Sequence, residues 1–331
     1  MKKKKKILII LAITAILVLI VFLLISYLNH LHDKAQETYL ENHYIFDKDF
    51  RTDKTRTDSS SNTYLSHGIA TAETLKLFRF LEQRFAEKSI NELNEHFNKV
   101  RQYLYTKFKE AEAQRLFEIY QNYLECQIEI TNSNKYRLAT EDPRHILSLL
   151  YMAHNLRRDK IGQENADVLF GSEVKENEYL LRRAMIIGDS TLYGKEKESR
   201  LQKLKQDMWD NKVISVGEDN NPYNRYQLKL QLYQKDLSEL GDKEFKTKIE
   251  VFRKEFFSKE QIKRLHEVDD QIAREKENVE RYRAAEKRIL NSKDMTQEEK
   301  NKKIKALQEK FFGKDADSFR RREIMYGGTQ K

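Results

Sequence analysis

The sequence predicts an all-α fold, on three observations. Two Pro and ten Gly in 331 residues are too few for a turn-rich β-protein. Runs of Lys, Glu, Gln, Arg and Leu favour helix over most of the chain. Apolar residues recur at steps of three, four and seven, the spacing of a helix face. The apolar fraction is 39%, and the first thirty residues hold a large share of it. The remainder suits thin cores rather than one compact interior. The expected plan is a single N-terminal transmembrane helix, a linker, and two small helical domains joined by an extended helical arm.

Residues 1–6 read as a basic cytoplasmic tail and 7–28 as the anchor. Ile7 to Leu28 is 22 residues without a charge, enough to cross about 30 Å of hydrocarbon. Lys2 to Lys6 precede it, and His30, His32, Asp33 and Lys34 follow with far less positive charge. That asymmetry places the N-terminus in the cytoplasm and the body across the membrane. A cleaved signal peptide fits less well, because the apolar run is long and no small-x-small site follows it. The formal charge of +9 mostly reflects this tail: removing its five lysines from 62 leaves 57 basic against 53 acidic residues. Those charges are interleaved, so no nucleic-acid footprint is expected.

Residues 29–66 read as a linker, loosest at Asp58-Ser59-Ser60-Ser61-Asn62. Such a polar stretch buries too little to offset its ordering entropy. Residues 67–130 read as a first helical mini-domain. Thr71 is a candidate N-cap, and Leu75, Phe78, Leu81 and Phe85 share one face. A second helix after Ser89-Ile90-Asn91-Glu92 and a third with Leu116, Ile119, Tyr120 and Tyr123 complete it. Cys126 on the third is the only cysteine, so no intramolecular disulfide can form, and a buried, inert thiol is expected.

Residues 131–242 read as the extended helical region. Asp142-Pro143 marks a helix entry with Pro at N1. Asn211 to Pro222 breaks the pattern and reads as a hinge or loop; Trp209, just before it, suits core or partner contact equally. Residues 243–325 read as a second mini-domain and 326–331 as a tail. In it, Ser258 to Gln261 is a capping box, followed by a helix without Gly or Pro to Leu290. Ile262, Leu265, Val268, Ile272, Val279, Tyr282 and Ile289 form its narrow stripe. Asn291 to Asp294 breaks it, Thr296 to Glu299 is a second capping box, and Ile304, Leu307, Phe311 and Phe312 line a return helix.

Phe252-Arg253-Lys254-Glu255-Phe256-Phe257, Asp269, Tyr282-Arg283, Ile289-Leu290, Thr296 to Lys300 and Ile304 to Phe312 resemble, in order and spacing, the C-terminal part of the lipase-specific foldases, or lipase chaperones. Arg157-Arg158 with Gly162, then Leu169-Phe170-Gly171-Ser172-Glu173, resemble that family's central region. Its N-terminal signature, Arg-x-x-Phe-Asp-Tyr-(Phe/Cys)-Leu-Ser-Ala-x-Gly-Glu, aligns with Phe78 at its Phe and Glu87 at its last position. Phe80 stands where the family has Tyr, and Leu81 where it has Phe or Cys. Leu75 replaces the Arg, Arg79 the Asp, Gln83 the Ser and Ala86 the Gly. The lost Arg and Asp are four apart, a pairing distance on a helix, and both are gone together.

The resemblance implies a steric chaperone that wraps a secreted lipase or related exported hydrolase without ATP, from the bacterial inner membrane into the periplasm. Its client-activating contacts would be Phe78, Phe80, Leu81 and Glu87. The residues themselves offer no nucleophile–base constellation, metal-ligand motif or phosphate-binding loop. No catalytic residue, metal or cofactor is therefore expected, and an enzyme is not. The alternative is an inner-membrane helical scaffold built on coiled-coil contacts; against it, sustained heptads are missing.

Overall fold

The computed structural model describes residues 23–46, 48–50, 63–86, 93–210, 216–217 and 219–326, with backbone alone for 322–326. Helix dominates, as the composition predicts. The elements are α1 (23–42), a hairpin β1 (Leu65–Ser66) and β2 (Ile69–Ala70), then α2 (Ala72–Arg84), α3 (Leu93–Lys107), α4 (Glu110–Asn132), α5 (Pro143–Ile161), α6 (Gln163–Gly188), α7 (Gly194–Trp209), α8 (Pro222–Leu232) and α9 (Gln234–Ser238). These belong to a unit ending at Leu240; a second unit, from Gly241, holds α10 (Asp242–Phe256), α11 (Lys259–Leu290), α12 (Gln297–Phe312) and α13 (Ala316–Tyr326).

Most of the expected anchor, residues 7–22, lies outside the described residues. Its end, 23–28, opens α1, where Leu23, Leu24, Ile25, Tyr27 and Leu28 are all exposed. Among the described residues no helix is long and apolar enough to cross a membrane.

The stretch expected as a linker from residue 29 differs from that reading. Helix α1 continues to residue 42, and Leu40 and Phe46 are buried. The reason is a clasp on α6. The Glu178 carboxylate accepts the backbone N–H of Ile45 at 2.9 Å and of Phe46 at 3.4 Å. Arg182 pairs with Glu178 at 2.8 Å. Its guanidinium also donates to the carbonyls of Leu40, at 2.5 Å, and His43. The Leu40 carbonyl lies in the last turn of α1, where helical carbonyls have no intrahelical donor, and that of His43 lies just past it. Further on, Lys175 Nζ donates to the Phe50 carbonyl at 3.0 Å, and the Phe50 ring lies over Gly171.

A Cβ at Gly171 would stand 2.4 Å from Phe50 Cζ, so glycine is needed there for close approach. Gly171→Ala is expected to cost about 1–3 kcal/mol by overpacking. A urea titration followed by Trp209 fluorescence checks this: the single Trp packs edge-on against Tyr179 in the same unit. An unshifted midpoint would show that Phe50 yields freely.

The hairpin was not expected. His67 (φ 51°) and Gly68 (φ 79°) both adopt positive φ, the backbone of a tight two-residue turn. Ala70 N–H then donates to Asn165 Oδ1 at 2.8 Å, fixing the hairpin to α6. The core beyond it gathers Leu77, Phe78 and Leu81 from α2, Val100 and Leu104 from α3, Leu116, Ile119, Tyr120 and Tyr123 from α4, and Leu169, Phe170 and Val174 from α6. Cys126 is buried, and burial raises its thiol pKa.

In the second unit both expected capping boxes form. Ser258 and Gln261 exchange bonds at 2.9 and 3.3 Å, and Thr296 and Glu299 at 2.8 and 3.3 Å. Helix α11 runs for 32 residues, about 48 Å at 1.5 Å per residue.

Candidate functional site

Helix α2 is held at both ends. At its start Thr71 N–H donates to Thr74 Oγ1 at 2.8 Å, and Thr71 Oγ1 donates to the Thr63 carbonyl at 2.9 Å. At its end His96 Nδ1 lies 2.8 Å from the Phe85 carbonyl, and Nε2 lies 2.7 Å from the Tyr120 hydroxyl. A carbonyl only accepts, so Nδ1 carries the proton and, in the neutral ring, Nε2 accepts from Tyr120. One buried imidazole thus joins α2, α3 and α4.

That frame sorts the expected contact residues. Phe78 and Leu81 have no exposed surface. The Phe78 ring packs edge-on against Tyr120 at 5.1 Å and beside Tyr123 at 5.2 Å. Phe80 points the other way and is 40% exposed. Glu87 lies outside the described residues. Of the three that are described, Phe78 and Leu81 are packed in the core and Phe80 alone reaches the surface.

Around Phe80 is a patch that the sequence reading did not assemble. The Arg84 guanidinium sits 5.8, 5.7 and 5.7 Å from the ring centres of Phe80, Phe85 and Tyr103. Arg101 lies 5.6 and 5.7 Å from Tyr105 and Phe117, and Tyr105 is itself exposed. Among the described residues no carboxylate pairs with Arg84 or Arg101. Rings and guanidinium groups held in this way match the residue types that carry binding energy at protein interfaces. The available signal was the four-residue spacing Phe80–Arg84 and Arg101–Tyr105, which puts each pair on one helix face.

Other charged groups that attract attention are pins. Asp167 Oδ1 binds His154 Nε2 at 3.0 Å and Arg158 Nε at 2.7 Å. These two donors hold its carboxyl below its ordinary value against the opposing effect of burial. Burial lowers the His154 pKa, and its Nδ1 is sealed from solvent with no partner. This cluster joins α5 to α6. Arg157 stacks on Phe170 at 4.2 Å. In the second unit Arg253 pairs with Asp269 at 2.7 Å, joining α10 to α11.

A family model described as proteobacterial lipase chaperone protein matches residues 116–316. The chain belongs to the lipase chaperone family. A lipase chaperone of Acinetobacter baylyi (strain ATCC 33305 / BD413 / ADP1) is 23% identical over 257 residues, covering 77% of this chain and 71% of its relative. The lipase chaperone match takes in Arg157-Arg158, Gly171, Glu178-Arg182 and the α11–α12 pair. Helix α2 lies N-terminal to it. Lipase chaperones are folding helpers rather than catalysts.

Proposed function

We propose that the chain is a membrane-anchored steric foldase for a secreted lipase or related exported hydrolase, working on the periplasmic side of the inner membrane. The lipase chaperone match carries this reading. The anchor, residues 7–28 from Ile7 to Leu28, is supported by its uncharged length and by the exposed apolar opening of α1. Residues 67–130 and 243–325 are the lobes that meet the client, and 131–242 is the arm.

Phe80 is the activating contact, with Arg84 and Tyr103 fixing its ring; Phe78 and Leu81 set its direction from below. A foldase needs no cofactor, because its energy is binding energy. It must hold the client's folding transition state more tightly than the trapped intermediate, since equal affinity for both leaves the rate unchanged.

The test is refolding of a denatured lipase with and without residues 33–331. Recovered lipase activity that depends on this body is the expected result. Spontaneous recovery at the same rate, or a body that never associates with an exported hydrolase, would refute the reading. Membrane fractionation tests the anchor: removing residues 1–28 should release the body.

A further inference from the structure

Helix α11 is covered at both ends and bare between them. Near its start, Arg253 and Glu250 of α10 reach Asp269 and His266, at 2.7 and 2.6 Å. Near its end Tyr282 is buried against α12 and α13. Val268, beside the first of these contacts, and Ile272, beyond it, are 50% and 58% exposed. At about 100° per residue, positions 268, 272, 275 and 279 fall along one face, a strip about 16 Å long.

The strip runs into a recess of about 570 Å³ lined by Val279, Phe311, Phe312 and Phe319, with Glu275, Asn278 and Asp315 around it. Its aromatic wall is fixed. Phe312 stacks on Phe319 at 3.9 Å, and each lies 5.2 Å from Tyr282. The Tyr282 hydroxyl donates to Glu286 and accepts from Gln308 Nε2 at 3.0 Å. Among the described residues neither Glu275 nor Asp315 pairs with a cation; Glu275 only accepts from Gln271 at 3.0 Å. The nearby cations Arg274 and Lys276 do not line the recess.

We propose that this strip and recess dock one amphipathic helix of the client protein. Its apolar face lies along Val268, Ile272 and Val279. One large apolar side chain fills the recess against Phe311, Phe312 and Phe319. A Lys or Arg beside that anchor meets Glu275 and Asp315. Apolar anchors at helical spacing are how a helix is read by a groove, and the acidic rim selects the basic flank. A second copy of this chain fits badly: two-fold pairing centred on the strip would set Glu275 of each copy against Ile272 of the other, a carboxylate on an aliphatic side chain. The client as occupant rests on the foldase reading; the chemistry of the docked helix does not.

The experiment uses the full chain and two helix-stapled, labelled peptides of about fourteen residues, matched to the strip at 1.5 Å per residue. Both carry the same Leu/Phe face; one has Lys and the other Glu beside the anchor. Fluorescence anisotropy at low salt is expected to show the Lys peptide binding about tenfold more tightly. Glu275→Lys with Asp315→Lys, both on exposed side chains, is expected to invert that preference while leaving the helical circular dichroism unchanged. Ile272→Asp should weaken both peptides. Equal binding of the two peptides, or an unchanged preference in the double variant, would overturn the proposal. So would sedimentation showing a dimer that Ile272→Asp dissolves. The lipase refolding assay separates the two readings. If the charge reversal leaves activation and client affinity intact while Phe80→Ala abolishes activation, the docking site is wrong and the foldase stands. If peptide selectivity appears but no lipase is activated, the foldase reading fails and the site remains.

Discussion

Replacing Arg182 with Met is expected to destabilise the unit ending at Leu240 by about 3–5 kcal/mol, the usual cost of stranding one member of a buried ion pair. The Glu178 side chain is fully buried and that of Arg182 is 7% exposed, so water cannot replace the lost partner. Burial already pushes the Glu178 carboxyl above its ordinary value; Arg182 and the amides of Ile45 and Phe46 pull it back. Without Arg182 it rises further. A carboxyl raised in the folded state contributes stability that is full below its unfolded pKa and is lost as pH rises through the folded one. The Arg182→Met defect should therefore be smallest near pH 4.5 and grow toward neutrality, measured as the urea midpoint by Trp209 fluorescence. Many buried ion pairs can be exchanged for apolar residues at little cost. This one should differ. Removing both partners also strips the donor from the Leu40 and His43 carbonyls and the acceptor from the Ile45 and Phe46 amides. Glu178→Leu with Arg182→Met should thus remain clearly destabilised, and a neutral double variant would show that the clasp does not hold residues 40–46.

The same clasp shows where sequence reading reaches and where it stops. The helices were legible because their signals are local: the boxes at Ser258 and Thr296, Pro143 after Asp142, and the stripe from Ile262 to Ile289 each need only neighbouring residues. The fate of residues 40–50 was not. Leu40, Phe46 and Phe50 are spaced irregularly in a polar stretch, and their partners, Glu178, Arg182 and Gly171, lie more than a hundred positions away. Glu178 and Arg182, four apart, look like any solvated pair on a helix surface. Periodicity also gives a face without saying what covers it. Along one stripe of α11, Tyr282 is buried against α12 and α13 while Val268 and Ile272 stay at least half exposed. On α2 the stripe put Phe78 and Leu81 on one face, and the resemblance implied client contacts for both, yet the fold buries them; the patch around Phe80 draws on three helices, beyond the reach of any one helix's periodicity.

Phe80→Ala is expected to reduce the rate of lipase activation by at least about tenfold while shifting stability by no more than about 1 kcal/mol. The two effects separate because of where the ring sits. Phe80 is 40% exposed, and its described ring contacts are Tyr103 at 5.9 Å and Arg84 at 5.8 Å, so its removal opens no core cavity. Phe78→Ala would instead empty a fully buried site and confound activation with unfolding. At Phe80 the client loses a ring already held in place, and with it an interaction that need not have been repaid in ordering entropy. If that contact is made chiefly in the client's folding transition state, activation falls while client affinity changes little. Refolding yield against time, with affinity measured in parallel, distinguishes the outcomes. Equal losses in both would make Phe80 a plain binding contact. Activation at the parental rate would remove Phe80 from the activating surface altogether, and would shift attention to Tyr105 and Arg101 on the neighbouring face.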